Sequence, residues 1–166
     1  AQIDKICAGL AALRPLIPLS VLASMSGVDE AAIKSFAFDL GRPLLVTGET
    51  IQFFDEPAET WFRDRFKPTA GDLVAFVASL KPLATSSAYV ASALPQLMLE
   101  AGHIAELVAL ALSSEALPSI SPVEKRDVEL QRLQFALKAS LRASRYTDAA
   151  KLALKASGES AGDERQ

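Results

Sequence analysis

The chain has one cysteine (Cys7), one histidine (His103) and no asparagine. A lone thiol excludes an internal disulfide and any multi-cysteine metal centre. A lone imidazole excludes histidine clusters, and the missing asparagine excludes N-glycosylation. Neither charge sign predominates, with 17 Lys and Arg against 20 Asp and Glu and a net charge of −3. Strongly nucleic-acid-seeking chains are far more basic. The most apolar stretch, residues 6–28, is broken by Arg14, Pro15 and Pro18, so it is not the uncharged run of about 20 residues that a spanning helix needs. None of the eight glycines forms G-x-x-x-x-G-K-[ST] or G-x-G-x-x-G, the loops that let backbone N–H groups cradle phosphate.

What is present is apolar. Half of the 166 residues are hydrophobic and 22% are charged, which is too apolar for a disordered chain. A chain of this size buries roughly 70% of its unfolded surface. These counts point to a helical binding or regulatory module and not to an enzyme. The chain starts at Ala1 and not Met, as expected of a processed chain or of a piece of a longer one. No secretory leader pattern is visible, and a reduced, cytoplasmic setting without membrane insertion is expected.

Two textures divide the chain. Residues 1–68 mix helix and strand signals. Ile3, Ile6, Cys7, Leu10 and Leu13 recur at helical spacing and stop before Pro15. A short helix follows through Leu19, Leu22 and Met25, closed by Gly27. Asp29 is placed to cap a third helix, with Ile33, Phe36, Ala37 and Leu40 as its buried face and Gly41 at its end. Two β-prone runs, residues 44–46 and 51–54, flank Thr47-Gly48-Glu49-Thr50 and predict a hairpin. Asp55 or Glu56 then caps a fourth helix, with Ala58, Trp61, Phe62 and Phe66 inward and Glu59 paired to Arg63 outside. Three helices, a two-stranded hairpin and a further helix make the order of a winged-helix domain.

Residues 69–166 are rich in Ala and Leu and predict five helices, over about 70–81, 85–101, 103–114, 123–143 and 145–157, with a frayed tail from Ser157. Pro95 is expected to kink the second of these. A weak echo relates residues 101–107 to residues 143–149, each read as a tight turn between antiparallel helices. The 42-residue offset differs from the roughly 34 of strict tetratricopeptide repeats, so a stack of helical hairpins is expected and not a regular array. The expected fold class is therefore mainly α: a winged helix with a short β-hairpin, then antiparallel helical hairpins of tetratricopeptide-like or α-solenoid kind.

Each chemically suggestive residue has a structural alternative. Cys7 lies on an apolar stripe and is expected to be a buried thiol. His103 falls in an inter-helix turn and has no identifiable partner for catalysis or ligation. Asp55, Glu56 and Glu59 could serve a small hydrolase as an acid–base pair, but acids at a helix N-terminus are what the macrodipole favours anyway. A winged helix often reads DNA, yet residues 1–68 carry nine acidic and seven basic side chains. The third helix, which would enter the groove, has Lys34 against Glu30 and Asp39, and duplex binding relies on neutralising phosphates. The basic concentration lies later, at Lys138, Arg142 and Arg145, with Tyr146 beside them and Arg132, Lys151 and Lys155 nearby. It reads either as a solvated face or as a docking surface for an acidic partner or nucleic acid.

Three stretches carry a resemblance to a known family. They are residues 14–19 (RPLIPL), residues 51–63 (IQFFDEPAETWFR) and residues 88–103, from Ala88-Tyr89-Val90 to Ala101-Gly102-His103. The chain resembles an internal piece of a STAND-type signal-transduction ATPase of the NACHT/AP-ATPase kind, namely its winged helix and the helical repeats that follow. The resemblance implies a non-enzymatic regulatory fragment whose winged helix packs on an upstream ATPase domain and whose repeats sense a protein partner or ligand. ATP or ADP would be bound by the full-length protein and no cofactor or metal by this fragment. In many relatives a His followed by Asp at the hairpin-to-helix junction reaches the nucleotide. Here the pair is Phe54-Asp55, so only Asp55 matches. The rival expectation is a winged-helix DNA-binding piece of a transcriptional regulator.

Overall fold

The computed structural model describes residues 2–113 and 117–164, with side chains described as far as Gly158. The chain is mainly helical with a small three-stranded antiparallel sheet. It divides into two compact units, Ala1–Lys81 and Pro82–Gln166.

The first unit runs α1 (Gln2–Ala12), β1 (Ile17–Pro18), α2 (Leu19–Ser26), α3 (Glu30–Leu40), β2 (Leu44–Thr47), β3 (Thr50–Phe53), α4 (Glu56–Arg65) and α5 (Ala70–Leu80). The order from α1 to α4 is that expected of a winged helix, with one addition. The two-residue strand β1 pairs with β3, Ile17 opposite Ile51, so the sheet has three strands in the order β1-β3-β2. Two residues are too short to show a period-two pattern, which is why the sequence showed only the hairpin. The hairpin itself pairs Thr47 with Thr50 around Gly48-Glu49. The Glu49 carbonyl accepts from the Leu19 N–H at 2.8 Å, fastening the hairpin tip to the start of α2.

Local chemistry sets the helix ends. Asp29 accepts from the Ala32 N–H and Asp55 from the Ala58 N–H, both at 2.8 Å. Thr69 and Asp72 form a reciprocal capping box on α5. Gly9 permits the close crossing of α1 and α2, because a Cβ there would stand 2.7 Å from Leu22 Cδ1. Leu10, Leu13, Ile17, Leu19, Leu22, Ile33, Ile51 and Phe62 are fully buried. α5 packs on α1 and α2, so the first unit extends through Lys81 and not, as the change of texture suggested, only to residue 68. The Ala/Leu composition of α5 resembles the second half; its contacts are with the first.

The second unit contains α6 (Ala88–Ala101), α7 (Ile104–Ser113), α8 (Pro122–Arg142) and α9 (Tyr146–Glu164). A 3-10 turn at Lys81–Leu83 precedes α6, which begins at Ala88, capped by Ser87, and not at residue 85. Successive helices pack together, and α6 also meets α8 and α7 meets α9, which is how two antiparallel hairpins stack. Ala91, Ala136 and Ala139 are wholly buried, and small side chains let helices approach closely. The α9 backbone stays helical to Glu164, past the Ser157 at which fraying was expected.

The echo between residues 101–107 and 143–149 is realised bond for bond. Gly102 N–H donates to Leu99 C=O and His103 N–H to Met98 C=O, at 3.2 and 2.9 Å. Forty-two positions on, Ser144 N–H donates to Leu141 C=O and Arg145 N–H to Ser140 C=O, at 3.2 and 2.8 Å. Gly102 (φ 79°) and Ser144 (φ 59°) both take positive φ, and the 6→1 bond is that of a Schellman turn.

Candidate interaction surfaces

Of the three carboxylates with catalytic potential, Asp55 and Glu59 are engaged in local structure and Glu56 is exposed in the first turn of α4. Asp55 lies at the β3–α4 junction, and its Oδ1 caps α4. Glu59 Oε1 accepts from Arg63 Nε at 2.9 Å. That pair is only partly exposed, because Arg63 turns inward: its Nη1 and Nη2 donate to the carbonyls of Ala11 and Leu13 at 2.6 and 2.7 Å. Arg63 thereby satisfies carbonyls at the end of α1 that the helix leaves unbonded. Phe54 is about half exposed, with the Arg42 guanidinium 5.0 Å from its ring centroid. Among the described residues no group of three His, Cys, Asp or Glu side chains is placed to hold a metal ion, and no helix is long and apolar enough to cross a membrane.

Cys7 is buried in α1. Burial, with a smaller contribution from the Asp4 carboxylate, pushes its thiol up to about 11, the opposite of what nucleophilic chemistry needs. His103 occupies the α6–α7 turn, and its carbonyl accepts from the Leu107 N–H.

The basic residues of the second unit differ in exposure and partners. Lys138, Arg142 and Lys151 are solvent-exposed. Arg145 Nε is paired with Asp148 Oδ2 at 2.7 Å, next to the exposed Tyr146. Arg132, expected beside them on the surface, is buried within α8. Burial pushes its guanidinium below the ordinary arginine value, which the neighbouring Glu129 carboxylate opposes. Lys155 Nζ reaches the Ala111 carbonyl near the end of α7, at 2.9 Å. Two of the expected docking cations therefore serve the fold.

The surface that stands out lies on α3. Ile33 and Ala37 are buried as expected, but Phe36 is half-buried, Leu40 is exposed and Phe38 is 86% exposed. An open groove of about 470 Å³ runs between α3 and β2, lined by Lys34, Ala37, Phe38, Gly41, Leu45 and Val46 among others. A second, of about 460 Å³, lies between α1 and α3 and includes Ile3, Ile6, Phe36 and Leu40. Trp61, expected to pack inward, is 59% exposed and rests edge-on against Phe66, ring centroids 6.2 Å apart. Phe38 falls off the stripe of Ile33, Phe36, Ala37 and Leu40, at i+4 from Lys34 and i+8 from Glu30, on a polar face of α3. Phe38 and Leu45 line the first groove and Leu40 the second; single exposed apolar residues are ordinary, whereas apolar side chains that share a groove mark a candidate interaction site.

No protein-family model matches the chain, and no curated protein is significantly similar to it.

Proposed function

We propose that the chain is a non-catalytic regulatory module that works by protein–protein contact, within a larger ATP-binding signalling switch of the STAND type. In this reading the first unit docks on an ATPase domain of the same polypeptide, and the helical hairpins of the second receive a protein partner or ligand. The observation that carries it is the apolar outer side of α3. Phe38 projects into solvent where a DNA-reading helix would present cations, and Lys34 is accompanied by Glu30 and Asp39 on the same helix. Phosphate neutralisation is poorly served by such a helix; burial of Phe38 and Leu45, which line one groove, against another protein is well served.

The winged-helix order and the residue 51–63 junction support the STAND assignment. Phe54 stands where relatives place a nucleotide-contacting His, and Asp55 is engaged by its own helix. The module therefore answers to the ATPase domain through apolar contact and not through a phosphate bond at this junction.

Calorimetric titration of the chain with ATP and ADP, beside retention of a duplex DNA library at low salt, tests this. The expected result is no turnover and no retention. Tight nucleotide binding with turnover overturns the non-catalytic reading. Salt-dependent DNA retention lost in Lys34→Ala overturns protein docking in favour of a DNA reader.

A further inference from the structure

We propose that the groove between α3 and β2 receives an extended, acidic strand of a partner protein, which adds to the free edge of β2 as a fourth strand. This rests on reading the first unit as a protein-docking module, and it names the shape and chemistry of what docks.

Three observations support it. The first is the sheet order, β1-β3-β2, in which β2 is an edge; among the described residues no strand pairs with its outer side. The Phe54 N–H bonds the Pro43 carbonyl at 2.7 Å, and this sets the phase of the antiparallel ladder. With Leu45 opposite Gln52 and Thr47 opposite Thr50, the residues that bond across to β3 are Pro43, Leu45 and Thr47. Alternation then turns the backbone groups of Leu44 and Val46 toward the free edge. The Leu44 N–H is taken by Gly41 C=O at 3.2 Å. The Leu44 carbonyl and both backbone groups of Val46 remain to face the edge. An added strand presents its own groups at the same two-residue repeat.

The second observation is the lack of protection. Natural edges are blunted by charges, proline or bulges. Leu44-Leu45-Val46-Thr47 has no charge and no proline, and Leu45 is 42% exposed beside Phe38. A helix laid in the groove would cover the apolar side chains but leave the backbone groups of β2 unbonded; an extended segment satisfies both.

The third is charge. Lys34 lines the groove, and no acidic side chain does. A strand bearing a carboxylate complements this cation. A second copy of the chain, paired β2 to β2 about a two-fold axis, would add a second lysine and no carboxylate to the groove.

The test uses the whole chain and a displayed library of random 12-residue peptides. The tightest selected peptide is synthesised and its site read by NMR amide shifts and hydrogen exchange. The expected result is an alternating apolar sequence with an acidic residue, shifts at Leu45 and Val46, and slowed exchange of the Val46 N–H. N-methylation of alternate peptide amides, and separately Phe38→Ala, should each weaken binding about tenfold or more. Replacing the peptide's acid should weaken binding to the native chain and leave binding to Lys34→Ala unchanged. Binders that need Phe38 but give Val46 no protection and tolerate N-methylation overturn strand addition while leaving the docking module standing. Binders that map elsewhere, or none at all, overturn both. Self-association in sedimentation velocity that Phe38→Asp abolishes assigns the edge to a second copy and overturns the foreign strand.

Discussion

Arg63 on α4 donates from Nη2 to the carbonyl of Leu13, fifty residues earlier, at 2.7 Å. With its second bond to Ala11 and its pairing to Glu59, this one side chain closes the end of α1 and ties the fourth helix of the winged-helix unit back to the first.

Arg63→Ala is therefore expected to destabilise the chain by about 2 kcal/mol, since hydrogen bonds to charged groups are worth roughly 1.5–3 kcal/mol. Arg63→Lys should recover less than half of this, because an ammonium lacks the planar fork that serves two carbonyls and a carboxylate together. Urea midpoints of the three proteins measure it. Equal stability of all three would show that water replaces the guanidinium without loss.

The two inter-helix turns give a paired prediction. Gly102→Ala places a Cβ on a positive-φ residue and should cost roughly 1 kcal/mol, whereas Ser144→Gly relieves the same conformation and should stabilise by up to about 1 kcal/mol. Thermal unfolding of both variants checks the opposite signs. A loss in Ser144→Gly would mean that the serine contributes more than its backbone costs.

The aromatic residues of α4 should behave oppositely. Phe62 is buried against Phe53 and Phe66, at centroid distances of 5.3 and 4.6 Å, and Phe62→Ala should cost about 3–5 kcal/mol. Trp61→Ala should change stability by less than about 1 kcal/mol, as exposed positions do. As Trp61 is the chain's one tryptophan, its native fluorescence should be readily quenched by acrylamide, with an emission maximum near that of the unfolded chain. Strong protection from the quencher would place the indole in a covered site.

Cys7 links stability to alkaline pH. Its folded thiol is pushed up to about 11 from an ordinary 9.0, first by burial and then by Asp4. Between those values the unfolded chain releases the proton and the folded chain keeps it. The stability is full below pH 9 and falls as pH rises toward 11. Relative to Cys7→Ala, the native chain should lose stability progressively over that window. Thiol labelling of the folded protein at pH 8 should be slow and should become fast in urea. A parallel pH response of the two proteins would remove Cys7 as the cause.

Much of the fold was legible along the chain. The apolar period in α1, the caps at Asp29 and Asp55, the turn at Gly48 and the repeated turn at residues 102 and 144 each report on neighbours within a few residues. The third strand escaped notice because Ile17-Pro18 is defined by its pairing with β3 and not by any local pattern. The groove between α3 and β2 was not legible, because it forms between two elements. Lys138 and Arg142 of α8 are exposed, whereas the packing draws inward the heads of Arg132 on α8 and Lys155 on α9. Phe38 and Trp61 point out although their type favours burial.

By itself the sequence determined the helical character, the positions of the breaks and the poverty of catalytic groups, because periodicity, caps and residue counts are local or additive properties. Only the tertiary structure decided that α5 belongs with the first unit, that Arg63 closes α1, and that an uncharged edge strand lies open beside Phe38. Each depends on which distant segments share one space. The hydrophobic effect drives burial without direction. Composition says how much surface can be buried; the packed fold alone selects which apolar side chains are left over for a partner.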